Sequence, residues 1–305
     1  AWLLTAATGG NPYVGMENTV RGMMGYECAA GILFTEGDGT YETRKQSTFL
    51  HSAYMAAYLY KDGEMLAFAE DLLGAGSFGA ETKHLTSALY VALRGTARVE
   101  RAENKYESME LIQYNGHPVG QYIVHEAWNS NESAAVFMKI KEMNTANHEH
   151  DDAGVFEIYY KGMLTSDGGI YDNNSSHGSF YHSATVSHNG LLIYDPAKKN
   201  SEGGLYSGGQ INGVGSSSNL DNWLADENMK TGTVTGRQHE YIGGDKSKPK
   251  YAYIAGDITA AYDSASASYV GRRMLTVFTG DAEFPMVFFV FDDITARQAS
   301  YEKRF

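Results

Sequence analysis

Apolar positions along this chain change period near residue 100. Through "ENTVRGMMGYECAAGILF" (17–34) and "STFLHSAYMAAYLYKDGEMLAFAEDLLGAG" (47–76) they recur at spacings of three and four, which predicts helices, with Ser47 as an N-cap and Gly74 or Gly76 as a stop. "FTEGDGTYET" between them reads as a turn, and "TKHLTSALYVALRG" (82–95) as a further helix. From about Glu107 the period is two. "GQYIVHEAW", "AAVFMKIKEMN", "GVFEIYYKG", "ATVSHNGLLIYD", "KYAYIAGDI", "RMLTVFTG" and "PMVFFVFDDI" are strand-length runs bounded by Gly, Asn, Asp and Ser. The expectation is an α+β chain, helical over 1–100 and a large antiparallel β domain over 101–305. A Gly/Ser-rich stretch, "KNSEGGLYSGGQINGVGSSSNLD", interrupts the β region as a long loop of the kind that carries function or mobility. No internal repeat is visible.

Composition fits a folded, tyrosine-rich β protein. Of 305 residues 43% are apolar and 20% charged, with 22 Tyr and 34 Gly. A formal net charge of −13 leaves no pervasive basic field, which argues against a nucleic-acid or anionic-membrane partner. An anionic substrate would need local cations, for which Arg272 with Arg273, Arg237, and Lys139 with Lys141 are candidates; solvated surface charge accounts for each pair equally well. Cys28 is the single cysteine, so no intrachain disulfide forms, and a core role is expected for it. The longest apolar run, "FPMVFFVF", is strand length and too short for a membrane helix, so a soluble protein is expected. The chain opens without Met or a signal pattern and closes inside a strand-forming region, which reads as a piece of a longer protein.

The densest chemistry is "NHEHDD", residues 147–152. On a regular strand His148, His150 and Asp152 would share one side, with His148 and His150 roughly 6.5–7 Å apart, so one histidine could bind a metal while the other meets a substrate. A hydrogen-bonded histidine pair explains the spacing as well. "SDGG" adds Asp167 and "ATVSHNG" adds His188, each at the end of a predicted strand. A His, Asp, His set of this kind offers the donors that zinc or a similar divalent ion accepts, with one position left for water. Arg237 and His239 in "TGRQHEY" follow the long loop, and Arg237 could take a carboxylate bidentately. His125 and His182 are candidates for a cleft wall. Trp2, Trp128 and Trp223 offer either sugar-stacking faces or core.

"NHEHDDAGVFEIYYKGMLTSDGG" followed by "YHSATVSHNGLLIYDP" resembles the β domain of the heparinase II/III family of polysaccharide lyases. The first block carries the similarity almost without gaps. Residues 1–95 look more loosely like the last helices of that family's α/α toroid, and the strands after them like its β-sandwich. The resemblance implies the C-terminal part of an α/α toroid followed by an antiparallel β-sandwich, and an enzyme that cleaves uronate-containing chains by β-elimination, without naming the polymer; the acidic balance and few clustered arginines favour alginate, a carboxylate-only chain, with heparin or heparan sulfate as the alternative. It implies His148 as the active-site histidine, Tyr181 as a catalytic tyrosine, and His150, Asp167 and His188 as ligands of one structural divalent metal, zinc being the expected ion. Asn147 stands where an amide could bind the uronate carboxylate, or where a turn needs an asparagine.

The family draws a second catalytic tyrosine and a histidine from its toroid. Tyr41 and Tyr54 are the local candidates, and both stand close to His148 in sequence, so the true partners are expected upstream of Ala1. The partners implied are an acidic polysaccharide and the N-terminal toroid part of the same protein; a secreted or periplasmic location is implied by the resemblance alone. Two other readings compete. A metal-braced β-sandwich that binds acidic polysaccharide without cleaving it would share the metal residues but not need His148 or Tyr181 in a cleft. A metal-dependent glycoside hydrolase would need a catalytic carboxylate pair, which Glu149, Asp151 and Asp152 could supply only against the family pattern.

Overall fold

A computed structural model describes residues 14–15, 17–38, 47–74, 99–128, 131–144, 148–169, 171, 177–196, 208–211 and 229–305. The chain divides into two compact units: Ala1–Leu33 with Glu42–Glu110 and Trp128–Asn131, and Phe34–Tyr41 with Leu111–Ala127 and Glu132–Phe305. Antiparallel sheet dominates the described residues, and the helices are few.

In the first unit, helix α1 (Glu17–Gly25) is followed by a hairpin, β1 (Glu27–Ala29) and β2 (Ile32–Leu33). The periodicity had predicted one helix to residue 34. Instead Gly31 turns with φ +70°, the Glu27 carboxylate accepts its N–H at 2.7 Å, and Cys28, buried as expected, donates its thiol to Ile32 O at 3.2 Å. The predicted helix over 47–76 is two helices, α2 (Ser47–Tyr60) and α3 (Gly63–Gly74). Lys61 adopts a left-handed backbone and Asp62 caps the second helix, its Oδ1 accepting the N–H groups of Glu64 (2.9 Å) and Met65 (3.0 Å). Their apolar faces bury Met24, Tyr54, Ala57, Met65, Phe68 and Tyr106 together. Trp128 stacks on Tyr106 at 4.3 Å and donates its indole N–H to Met109 O, so it is core rather than a sugar platform. Three described helices do not show a toroid. The helix expected over 82–95, together with Trp2, Tyr41 and Trp223, lies outside the described residues.

The second unit carries the sheets. β3 (Ile112–Asn115), β4 (Gln121–His125), β5 (Ala135–Lys139), β6 (Phe156–Tyr159) and β7 (Met163–Thr165) form an antiparallel meander in chain order. β9 (Thr233–Tyr241), β10 (Pro249–Asp257), β11 (Ala267–Phe278) and β12 (Met286–Ala296) form a second antiparallel sheet, and the short β8 (Leu192–Tyr194) pairs with β13 (Glu302–Arg304). The two larger sheets pack face to face. Thr276 on β11 donates to the Met138 sulfur on β5 at 3.7 Å, and Tyr241 on β9 receives the Ile112 N–H at 3.1 Å. Gly256 on β10 has no side chain because Ile140 fills that space: a Cβ there would stand 2.5 Å from it.

Every residue of β4 and β5 is buried. Along β5, Val136 and Met138 alternate with Phe137 and Lys139, so the strand presents two covered faces. Residues 34–38 cover one of them, touching it at every second position: Phe34 lies 5.9 Å from the Phe137 ring, Glu36 pairs with Lys139 at 2.6 Å, and Asp38 reaches the histidines. That segment, read from sequence as a turn, decides the site.

Candidate functional site

Residues 148–152 do not adopt the regular strand geometry on which His148, His150 and Asp152 would share one side. His148 has φ +76°, a left-handed conformation uncommon outside glycine, and strand begins only at Phe156. The kink separates two histidines that strand alternation would have placed side by side. The His148 side chain remains 59% exposed, whereas that of His150 is 1% exposed. Asp152, expected on the same side as both, points instead into the sheet, where Lys139 and Lys141 meet its two oxygens at 2.7 Å and 2.6 Å.

That ion network is the floor of the site. Burial alone would raise the Asp152 pKa, but the two ammonium groups overturn this and hold it well below the usual carboxylate range; Lys139 is correspondingly raised well above the ordinary lysine value against its own burial, by Asp152 and Glu36. Lys141 also donates to the His150 carbonyl at 2.5 Å, which fixes the backbone beneath that histidine. These lysines are therefore structural and supply no charge to a substrate. Arg272 is similarly spent: it is fully buried, forks onto Asp292 at 2.7 Å and 3.0 Å, and donates to the Gly154 and Asn189 carbonyls.

Asp38 is the residue that sequence reasoning passed over. Its Oδ2 accepts a hydrogen bond from His148 Nδ1, and its Oδ1 lies 3.3 Å from His150 Nε2 and 3.9 Å from His182 Nε2. Gly37 makes the approach possible. Its φ is +57°, a Cβ on it would stand 2.2 Å from the His148 carbonyl oxygen, and the next N–H, that of Asp38, donates to that same oxygen at 3.2 Å. The only sequence signal was "EGDG", which marks a tight turn and says nothing of its distant partner.

Behind His150 stands Asp167, just past β7. Its Oδ2 lies 3.5 Å from His150 Nδ1 and its Oδ1 contacts His188 Nδ1. His150, Asp167 and His188, named from sequence as a metal set, do converge; a second convergent set is Asp38, His150 and His182. Both offer nitrogen and carboxylate donors suited to a zinc-class ion. His182, considered only for a cleft wall, is 2% exposed and sits on a short π-helical turn, Gly178–His182. The strand predicted over 184–195 is also shorter: Thr185–Ser187 is a 3₁₀ turn and strand starts at Leu192.

The titration pattern follows from these contacts. Burial works against charge on His150, but its hydrogen bond to Asp167 and the fields of Asp167 and Asp152 outweigh it, so its pKa is raised. Burial lowers that of His182, and its neighbour His150 adds to the lowering. Burial would raise Asp167, and hydrogen bonds from His150 and His188 bring it below its ordinary value. Glu157 on β6 is pushed up to about 8, chiefly by burial, although the Thr35 hydroxyl and the Asp167 N–H both donate to it at 2.9 Å.

Other sequence candidates lie elsewhere. Tyr181 is exposed and its ring meets His177 at 5.3 Å; the tyrosine ring near His148 is that of Tyr171, at 6.1 Å, which also lies 6.3 Å from His182. Tyr171 went unnoticed among so many tyrosines. Arg237 and His239 are exposed neighbours on β9, stacked over Tyr114 (4.2 Å) and hydrogen-bonded to Tyr122 (3.1 Å) respectively. His125 is buried in β4, and Tyr54 is buried in the helical core. Asn147 lies outside the described residues. Of the long loop, residues 208–211 are described, and Gln210 anchors them by bonding both the N–H and the carbonyl of Ala153 at 2.8 Å.

No family model and no curated protein matches this sequence. Among solved structures it is similar to a heparinase III, at a TM-score of 0.33 and 13% identity, over 81% of this chain. The chain spans 29% of the length of that neighbour. At that score the likeness carries no argument about the site.

Proposed function

We propose that this chain is the β-rich part of a polysaccharide lyase that cleaves a uronate-containing polymer, alginate above heparin or heparan sulfate, by β-elimination. One observation supports the reading most directly: an exposed histidine, His148, whose Nδ1 is held by a carboxylate, Asp38. A carboxylate can only accept, so Nδ1 carries the proton, and Nε2 is the ring nitrogen that a neutral imidazole would use as a base. The long motif shared with heparinase II/III lyases supplies the reaction class.

In this mechanism His148 Nε2 takes the C5 proton of the uronate. The electron pair left behind forms the C4–C5 double bond, the C4–O bond breaks, and the departing oxygen takes a proton from a tyrosine hydroxyl; the motif names Tyr181 for this role, and Tyr171, whose ring stands 6.1 Å from that of His148, is the competing candidate. Arg237 and His239 would hold substrate carboxylates, the planar guanidinium of Arg237 suiting a bidentate contact. Asn147 would take the carboxylate next to the reacting carbon. A divalent cation at the buried histidines would supply positive charge and rigidity beneath His148, and His150 is common to both ligand sets that could hold it. Among described residues no helix is long and apolar enough to cross a membrane, and we propose a secreted or periplasmic setting on the strength of the motif.

The test is to incubate the full-length parent protein with alginate and, separately, with heparin, and to follow the ultraviolet absorbance of the unsaturated uronate. A rise with alginate that His148→Ala abolishes is expected. A rise with heparin alone would move the substrate to the sulfated class. Binding of either polymer without any rise would overturn the lyase reading and leave a carbohydrate-binding module.

A further inference from the structure

Two sheet edges carry a second cluster of polar side chains, away from the histidine-rich block. β3 closes one end of the first large sheet and β9 one end of the second. On β9, Arg237 and His239 stand opposite Ile254 and Ala252 of β10, both fully buried. Paired positions share a face, so these two side chains point the same way as that core pair, toward the first sheet. On the edge strand they nevertheless remain exposed. Glu240, between His239 and Tyr241, faces the other way and pairs with Lys250 at 3.0 Å.

The floor beneath them is aromatic. The Arg237 guanidinium lies over the Tyr114 ring at 4.2 Å and stands beside the Tyr122 hydroxyl. Tyr114 and Tyr122 are cross-strand partners with rings 4.9 Å apart, and the Tyr122 hydroxyl meets His239 Nδ1 at 3.1 Å. Stacking fixes the guanidinium without neutralising it. Among the described residues Arg21, Arg101, Arg272 and Arg304 each face a carboxylate, whereas Arg237 faces none. Glu142, whose charge reaches Tyr114, is engaged elsewhere: one oxygen accepts the Val234 N–H at 3.0 Å and the other faces His117 at 3.2 Å. His239 Nε2 and the Tyr114 hydroxyl likewise have no hydrogen-bond partner among the described residues. A fixed, unanswered guanidinium beside an imidazole nitrogen and a hydroxyl suits a carboxylate, which takes a forked pair of hydrogen bonds from the arginine and more from its neighbours. An inward-pointing charge also guards an edge strand against pairing, but that purpose needs neither the stack nor the histidine.

The cluster is separated from His148 by the first sheet. Tyr122 pairs with Met138, whose sulfur accepts the Thr276 hydroxyl of the second sheet. Phe137 and Lys139 point to the other face, where residues 34–38 bring Asp38 to His148. We infer that Arg237, His239 and Tyr114 form a second anionic-sugar site, which takes a carboxylate of an acidic polysaccharide at a unit remote from the one that His148 meets. The identity of the polymer rests on the function proposed above; the carboxylate chemistry rests on these side chains alone.

Phenylglyoxal modifies accessible arginines, and its adduct on Arg237 is read by peptide mass spectrometry in the full-length parent protein. An alginate trimer should slow the labelling of Arg237, equally in the parent and in His148→Ala, while the neutral sugar maltotriose leaves it unchanged. Calorimetric titration of His148→Ala with alginate then measures affinity without cleavage. Adding Arg237→Ala should weaken binding about tenfold, the lower end for a lost hydrogen bond to a charged group, and Arg237→Lys, which keeps the charge but not the fork, should weaken it less. Circular dichroism would confirm that each variant folds. Unslowed labelling at trimer concentrations that saturate the protein would overturn the site, as would unchanged affinity in Arg237→Ala or a parent protein that binds no alginate. Protection lost in His148→Ala would merge the two sites and overturn their separation. Neither readout follows the unsaturated product, so a protein that binds at Arg237 without cleaving would uphold this site while the lyase reading fails.

Discussion

His148 and His150 stand two residues apart, yet they belong to different physical regimes. The outer one rides a left-handed turn, is mostly exposed, and owes its orientation to Asp38. The inner one is buried against two carboxylates and two more histidines, above a floor of lysines and Asp152. Exposure makes the first available to a substrate and nearly irrelevant to folding. Burial makes the second part of a network in which each charge is tolerable only because another answers it.

The largest effect expected from breaking this contrast lies in the floor. Asp152→Ala would leave Lys139 and Lys141 buried without their shared partner, and the loss expected is about 3–5 kcal/mol, read as a lower urea midpoint. Next is the backbone contact that joins the two regimes. Gly37→Ala forces a Cβ onto the His148 carbonyl and an L-residue into a left-handed conformation, which by itself costs about 1–2 kcal/mol. Cleavage should fall with it, because Asp38 moves away from His148; unchanged stability and activity would mean that residues 34–38 do not pack there.

A pH effect sharpens the comparison further. Glu157 is raised from 4.5 to about 8 on folding, so the folded state holds its proton more tightly than the unfolded chain. Its contribution to stability is complete below pH 4.5 and is lost as pH rises toward about 8. Glu157→Gln should remove that part of the decline in melting temperature over this window; an identical pH profile in both proteins would count against a protonated Glu157. Smallest should be the effect of His148→Ala on stability, within about 0.5 kcal/mol as for a surface substitution, even where it abolishes cleavage. A drop of several kcal/mol would place His148 in the folding network and weaken its assignment to substrate.

The strands were legible because sheet periodicity survives folding. "GQYIVH", "AAVFMK" and "VFEIYY" became β4, β5 and β6, and the runs after residue 249 became β10 to β12 of the second sheet, whose fourth strand, β9, was not among the predicted runs. The helices were legible in type but not in extent, since an Asp62 cap and a Gly31 turn act over a few residues inside an apolar period that continues through them. Of the site, His150, Asp167 and His188 were recoverable from residue type and motif, and they do converge. His148 and His150 were also recoverable, but on the wrong geometry, because strand alternation cannot anticipate one left-handed residue.

The sequence by itself determined the antiparallel β region, the acidic balance, and the histidine-rich block as the place where chemistry concentrates. Tertiary structure alone decided that Asp38, from the segment between β2 and α2, is the carboxylate that meets those histidines, that His182 turns inward while Tyr181 turns outward, and that Lys139, Lys141 and Arg272 are internal braces. The physical reason is range. Period and propensity are set by neighbours a few residues away, whereas a charge is made structural or available by whichever distant partner the fold brings within hydrogen-bonding distance.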